Sequence, residues 1–231
     1  MYYDLHIHSA LSPCSDDDMG ANNIVNMAIL NGLSYVAVTD HNSLKQLPVV
    51  KRVADQLGMG LIYGTELQSN EEVHILAYFK DDRRLAEVQA WLEGLLLPLK
   101  NRSEFFGHQF LLDESDEVID EEEVLLLQSL NASIDEIVDR IHFFGGVAVL
   151  AHAMDRSNSI MTQLGFIPQS LPFDGIEIKN DEQKKLLLKL HPWIKDVIWL
   201  KNSDAHRLVD IKEGGDEFPL ALFEKKWREY R

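Results

Sequence analysis

Apolar runs too short to be helices recur along this chain, and segments of helical periodicity separate many of them. The runs lie within "YYDLHIH", "SYVAVTDH", "GLIYGTE", "VHILAYF", "GVAVLAHA", "FDGIEIKN" and "VIWLKNSDAH". In "NNIVNMAILNG", Ile24, Met27, Ala28 and Leu30 suit a helix, and Gly32 suits its end. "LPVVKRVADQLG" closes on Gly58, and "DEQKKLLLKL" is a further helix. "SIDEIVDRIHFFGG" opens with a capping box, in which Ser133 caps and Glu136 follows three residues on. Nearly continuous apolar strands alternating with helices predict an α/β fold, with a parallel sheet covered by helices.

A length of 231 residues suits one large domain, or one domain with an insertion. The stretch from about 80 to 132 breaks the rhythm. It holds a Leu-rich helix around Trp91 and the acidic run "DESDEVIDEEEV", whose acids read as a solvated surface. We expect an insertion between two strands, lying over the site.

The strands end on residues that bind metals. In the first, Tyr3, Leu5 and Ile7 alternate with Asp4, His6 and His8. A period of two puts His6 and His8 on one face, roughly 7 Å apart in Cα position. Taken alone, His-x-His fits a half-exposed strand as well as a metal site. The other strands weigh against accident. Asp40 and His41 close "VAVTDH", Glu66 closes "LIYGTE", and His152 closes "VAVLAH". Asp204 and His206 close "NSDAH", and His74 lies in "VHILAYF". Parallel barrels carry their chemistry at the C-terminal ends of strands, so residues from many strands converge there. His108, His142 and His191 fall elsewhere and suit surface or packing roles.

Composition narrows the setting. The apolar content of 45% is ordinary for a globular protein, and no apolar run is long enough to span a bilayer. No signal-peptide pattern opens the chain, and the lone Cys14 has no internal disulfide partner. Both points predict a reducing cytoplasm. With 38 acids against 22 bases the formal charge is −16. That charge opposes non-specific binding to nucleic acid or anionic membrane, and favours a small substrate.

In this order, "DLHIHS", "AVTDHNS", "GTE", "VHIL", "LAH" and "NSDAH" resemble the polymerase and histidinol phosphatase (PHP) superfamily. The resemblance spans most of the chain except the insertion and the C-terminal tail. It implies a distorted (β/α)7 barrel, here with a helical insertion, and two to three divalent ions: zinc, iron or manganese. It implies His6, His8, Glu66 and Asp204 as ligands of one metal. Glu66 bridges to a second, completed by His74 and His152. Asp16, His41 and His206 hold the third, with Asp17 and Asp18 competing for the acid's place. The family's proline before the following helix is absent, and Gly20-Ala21 stands instead. The frequent "AHP" is "AHA", with Ala153.

Such a site implies a phosphoesterase. Three divalent ions outweigh Asp16, Glu66 and Asp204 in charge, so the centre stays positive and draws a phosphate. Two ions held by Glu66 lower the pKa of a shared water and aim hydroxide at phosphorus, with no covalent enzyme intermediate. Catalysis thus runs through Glu66 and Asp204 by way of that hydroxide. Ser43, Ser203 and Cys14 are not expected nucleophiles. Asp40 serves either to orient a ligand histidine or to cap the next turn. Arg156, Lys179 and Arg207 are candidate grips on the phosphate, and equally surface bases. The expected substrate is a small phosphate monoester, such as a metabolite or nucleotide. The alternatives are an exonuclease, a metal-dependent C–N hydrolase, and a non-catalytic metal-binding interaction domain.

Overall fold

The computed structural model describes residues 1–155 and 157–230. Its elements run β1 (Tyr3–Ile7), α1 (Ala21–Leu30), β2 (Tyr35–Val38), α2 (Leu47–Leu57), β3 (Gly60–Leu61), β4 (Tyr63–Gln68) and β5 (His74–Phe79). The stretch that breaks the rhythm holds α3 (Leu85–Leu95), α4 (Ser103–Phe106), β6 (Phe110–Leu112) and β7 (Val118–Glu121). Then follow α5 (Ile134–Phe143), β8 (Val147–Leu150), α6 (Ile160–Gln163), β9 (Gly175–Glu177), α7 (Asp181–Leu190), β10 (Ile198–Leu200) and α8 (Leu220–Glu229). The local signals act as expected. Ser133 and Glu136 form the capping box of α5, and Gly58 ends α2 in the left-handed region at φ 71°.

The fold is mixed α/β. Among the described residues, one sheet has the order β1-β2-β3, a second β10-β9-β8-β5-β4, and β6 pairs with β7. Isolated bridges connect the two larger sheets, one from Ile7 of β1 to Ala205 beyond β10 and one from His41 beyond β2 to Glu66 of β4. Both bridges lie at the rim that carries the polar strand ends. Among the described residues the ladders do not run continuously around a closed barrel.

The expectation of an all-parallel sheet is corrected at β5, which is antiparallel to both β4 and β8. The reason is the connection. A parallel return needs a crossover of roughly a dozen residues, whereas β4 and β5 are joined by a tight turn. Ser69 N–H donates to Val73 O at 3.0 Å, and Glu72 N–H to Ser69 O at 2.9 Å. Reversal puts the start of β5, His74, at the rim where the other strands end.

After His74, β5 is apolar, as is all of β8, because both faces of these strands are buried. Ile75, Ala77 and Phe79 pack in the larger core with α1, α2 and α5, while Leu76 and Tyr78 turn into a second core. Phe223 and Trp227 of α8 belong to that second core, and Trp227 Nε1 donates to Tyr78 O at 3.2 Å. Helix α8 thus packs at the end of the strands remote from His74. Glu66 is in register with Leu76, so it shares the face of the second core and extends it toward the rim.

The 80–132 stretch is pinned to the loop after β1. Asp116 accepts from Asn22 N–H and Asn23 N–H, each at 2.9 Å, and so caps α1 from a distance in sequence. A Cβ on Gly20 would lie 2.2 Å from Asp116 Cγ. This explains a glycine where the family has proline nearby: the cap is supplied across space, and it needs the room. Gly107, at φ 98°, approaches Pro13 O so closely that a Cβ would lie 2.0 Å from it. Most of the acidic run is solvated, and all of β7 is exposed. Asp116 is an exception, and so is Glu122, whose Oε2 is 2.5 Å from Lys45 Nζ.

Candidate metal centre

Glu66, buried at the end of β4, collects imidazoles. Its Oε1 lies 2.9 Å from His74 Nδ1, 3.1 Å from His152 Nε2 and 3.3 Å from His6 Nε2. Its Oε2 lies 3.1 Å from His41 Nδ1 and 3.4 Å from His8 Nε2. Asp204 Oδ1 approaches the same two rings, at 3.2 Å from His6 Nε2 and 3.3 Å from His8 Nε2. His206 stacks on His8 with ring centroids 4.4 Å apart. Asp204 (φ 55°) and His152 (φ 28°) both hold the left-handed backbone region, a strained arrangement typical of functional sites.

The far nitrogens of several rings are occupied. His6 Nδ1 is 3.0 Å from Glu177 Oε2, a carboxylate that only accepts, so the ring proton lies there. Ser12 donates its single hydroxyl proton to Asp40 Oδ1 at 2.8 Å. Its oxygen therefore accepts from His8 Nδ1 at 3.1 Å. His206 Nδ1 donates to Asp204 O at 2.8 Å, and His74 Nε2 meets Gln68 Oε1 at 3.3 Å. In its neutral form each of these rings turns a bare nitrogen inward. The Nε2 atoms of His6 and His8 face each other at 3.1 Å. Two bare nitrogens at that distance repel unless a cation lies with them.

The electrostatics make the same demand. Burial alone would lift the Glu66 carboxyl, yet His74, His6 and His41 hold it well below the usual carboxylate range. Burial would depress His6, but Glu177, Asp204 and Glu66 push it well above its ordinary value. His8 is raised to about 9 against burial, by Asp204 and Glu66. His41 is driven well below its ordinary value by burial and by His8. The carboxylates call for positive charge at the middle of the ring. Mixed imidazole and carboxylate donors fit zinc, iron or manganese. Among the described residues, ligand atoms come within 4.8 Å of one another in three groups: His6, His8 and Glu66; His41, Glu66 and His74; His8, Cys14, His41 and His206.

The family model of the PHP domain matches residues 4–167. The chain belongs to the PHP domain family. The structure of a Bifidobacterium adolescentis protein inferred to be a metal-dependent phosphoesterase is similar in fold, with TM-score 0.65 and 18% identity over 99% of this chain and 94% of that one. The lesion-specific endonuclease Q of Pyrococcus furiosus has TM-score 0.61 and 20% identity over 90% of this chain and 48% of its own. In sequence, the PolC-type DNA polymerase III of Staphylococcus haemolyticus is 23% identical over 91% of this chain. The chain spans only 13% of that polymerase's length. With an endonuclease and a polymerase among these relatives, the disfavouring of nucleic acid argued from net charge finds no support here.

Of the PHP residues expected from sequence, the structure brings together His6, His8, His41, Glu66, His74, His152, Asp204 and His206. It does not bring in the Asp16 side chain. Asp16 is exposed and belongs to none of the three groups; only its backbone N–H reaches the site, donating to His206 O at 2.9 Å. Asp40 does not face a metal ligand directly. It accepts from Ser9 N–H at 2.7 Å and Ser9 Oγ at 2.6 Å as well as from Ser12, so it holds the loop that orients His8. Lys179 is largely exposed, with Nζ 2.6 Å from Asp155 Oδ2. Arg207 forms a pair with Asp210 at 2.8 Å and 3.0 Å. Arg156 lies outside the described residues.

Glu177 was not anticipated. It ends β9, buried, and besides His6 it accepts from His152 N–H at 2.7 Å and Asn202 Nδ2 at 2.6 Å. The signal was present: an acid closing the apolar run "GIE", two residues before Lys179. Among the described residues no helix is long and apolar enough to cross a membrane.

Proposed function

We propose that this PHP protein is a metal-dependent phosphoesterase whose substrate is a small phosphate monoester, a metabolite or nucleotide. The observation that carries the reading is the inward convergence of bare imidazole nitrogens on the Glu66 carboxylate, in a chain of the PHP family. In this reading His6, His8, Glu66 and Asp204 hold one ion, Glu66, His74 and His152 a second, and His41 and His206 belong to a third. Bound divalent ions supply positive charge for the phosphate and Lewis acidity that activates water. The chain's own part is to hold the ligands still. Glu177, Ser12, Gln68 and the Asp204 carbonyl hold a proton on the outer nitrogen of each ring, so the neutral ring presents its inner lone pair to a cation. Attack by water needs no side-chain nucleophile, and the Ser203 hydroxyl is engaged with His6 O at 3.4 Å.

Lys179 and Arg207 are each paired with an acid, so in this reading the ions carry most of the hold on a small phosphate. The single cysteine and the absence of a disulfide partner for it support action in the cytoplasm. A barrel like that of the wider family remains part of this reading, with the two rim bridges as its incomplete seams.

The test is a screen of phosphomonoesters and oligonucleotides with metal-reconstituted protein across a salt series. A small ester held by ions and one base gives a higher kcat/KM than single-stranded DNA, and a shallow salt dependence. Efficient oligonucleotide cleavage, steeply salt-dependent and without release of phosphate from small esters, would move the substrate to nucleic acid. That second reading draws on the likeness to endonuclease Q.

A further inference from the structure

The third group contains a residue that the family pattern does not supply. Cys14 lies with His8, His41 and His206, all four offering ligand atoms within 4.8 Å of one another. His8 is already committed, since its Nε2 faces His6, Glu66 and Asp204 and its Nδ1 is held by Ser12. That leaves Cys14, His41 and His206 as a set. Asp16, Asp17 and Asp18 offer no ligand atom to the group, whereas Cys14, itself at the surface, does.

The path of the loop explains the exchange. Asp16 N–H donates to His206 O at 2.9 Å, so the Asp16 backbone is fixed against the strand end. Ser12 is tied to Asp40 and to His41 N–H, the latter at 3.2 Å. Between these anchors, Ser15 N–H closes a turn on Ser12 O at 2.9 Å. The loop is pressed from outside by Gly107 on Pro13. A turn held at 12 and 16 projects the residue between them, Cys14, at the histidines.

We propose that the Cys14 thiolate, together with His41 and His206, ligates a divalent cation in the place where the family resemblance puts Asp16. This rests on the reading of the centre as a metal site and deepens it. A sulfur donor with two imidazoles selects zinc or ferrous iron over manganese or magnesium. Binding expels the thiol proton to solvent, with no change of oxidation state. The ligand set is thereby sensitive to thiol-modifying reagents, which an all-carboxylate site is not.

The experiment uses the full chain, in which Cys14 is the sole cysteine, so alkylation reports on one residue. Protein stripped with a chelator and protein reloaded with zinc are treated with iodoacetamide under native conditions, and zinc content is measured in parallel. We expect labelling in the stripped form and its loss in the loaded form. Cobalt reconstitution adds a spectroscopic reading: a near-ultraviolet thiolate-to-cobalt charge-transfer band, present in the wild type and in Asp16→Asn, absent in Cys14→Ser. Zinc bound in full with the thiol still freely alkylated overturns the assignment of Cys14 and leaves the metal centre standing. No bound metal under any loading overturns both. The labelling arm needs no variant, so misfolding of Cys14→Ser would not blunt it.

Discussion

His6 and Glu177 form a buried pair in which Nδ1 of the ring lies 3.0 Å from one carboxylate oxygen and 3.2 Å from the other. The ring cannot rotate without losing both, and its Nε2 is aimed at Glu66 and Asp204. Glu177 also ties down the His152 backbone and Asn202, so one carboxylate positions two histidines. Glu177→Gln retains the shape but lets the outer contact become an amide. We expect metal affinity to fall about 10- to 100-fold, measured by competition with a chelator. Unchanged affinity would remove the positioning role.

Glu66→Gln is expected to be more damaging than the loss of any single histidine. His6, His8, His41, His74 and His152 all approach its two oxygens. Removing its charge disturbs more than one ion at once. Metal content and turnover are measured together, and a variant with full occupancy and near-normal rate contradicts the shared-ligand role.

Gly20→Ala places a methyl group against the Asp116 carboxylate and displaces the cap of α1. The cap is worth about 0.5–2 kcal/mol. Asp116→Ala should cost about that amount by itself. Because the two changes damage the same contact, the double variant should lose less than the sum. Denaturant midpoints decide it, and strict additivity would show that Gly20 is kept for another reason.

Asp174 is a test of stability against pH, away from the metal centre. Burial would raise its carboxyl, but His142 Nε2 at 2.8 Å, Tyr230 Oη at 2.7 Å and Ala148 N–H at 2.9 Å hold it below its ordinary value. A carboxyl depressed in the folded state stabilises fully above its unfolded value of about 3.9. That contribution is lost as pH falls through the lower folded value. Asp174→Asn should be less stable than wild type at neutral pH, and the difference should shrink on acidification below about 4. A difference constant across that range would exclude the linkage.

The 80–132 stretch is proposed to shape substrate choice without holding metal. None of the proposed ligands lies in it, yet it presses on the loop that carries Cys14. Replacing the β6–β7 hairpin by a short turn should change the ranking of substrates while metal stoichiometry stays the same. Loss of metal from a folded variant, or identical activity on large and small substrates, would contradict this.

The site was largely legible in the sequence because strand ends are marked by an abrupt change from apolar to polar. His152 directly follows the buried run from Val147 to Ala151, His41 and Glu66 each come three positions after the last apolar residue of a run, and Asp204 comes four after Leu200. The direction of β5 was not legible. A strand has the same two-residue period whichever way it runs, so His74 read as strand-borne without revealing which end it occupied. Asp116 over α1 is a contact across 93 and 94 positions, which no local signal encodes. The Asp16 register came from the family spacing. It missed that hydrogen bonds at Ser12 and Asp16 decide which side chain between them turns inward.

The rim bridge from Ile7 to Ala205, and the contacts from Asp204 to His6 and His8, join the two extremes of the chain. On the ribosome the first histidines emerge long before their partners. The loop to be closed is nearly 200 residues long, and its closure entropy is met late in folding. A nascent chain halted before β9 has His6 without Glu177 or Asp204. Capture of metal by the full ligand set therefore waits until Asp204 has been made, and products truncated before β9 should carry His6 and His8 unclaimed.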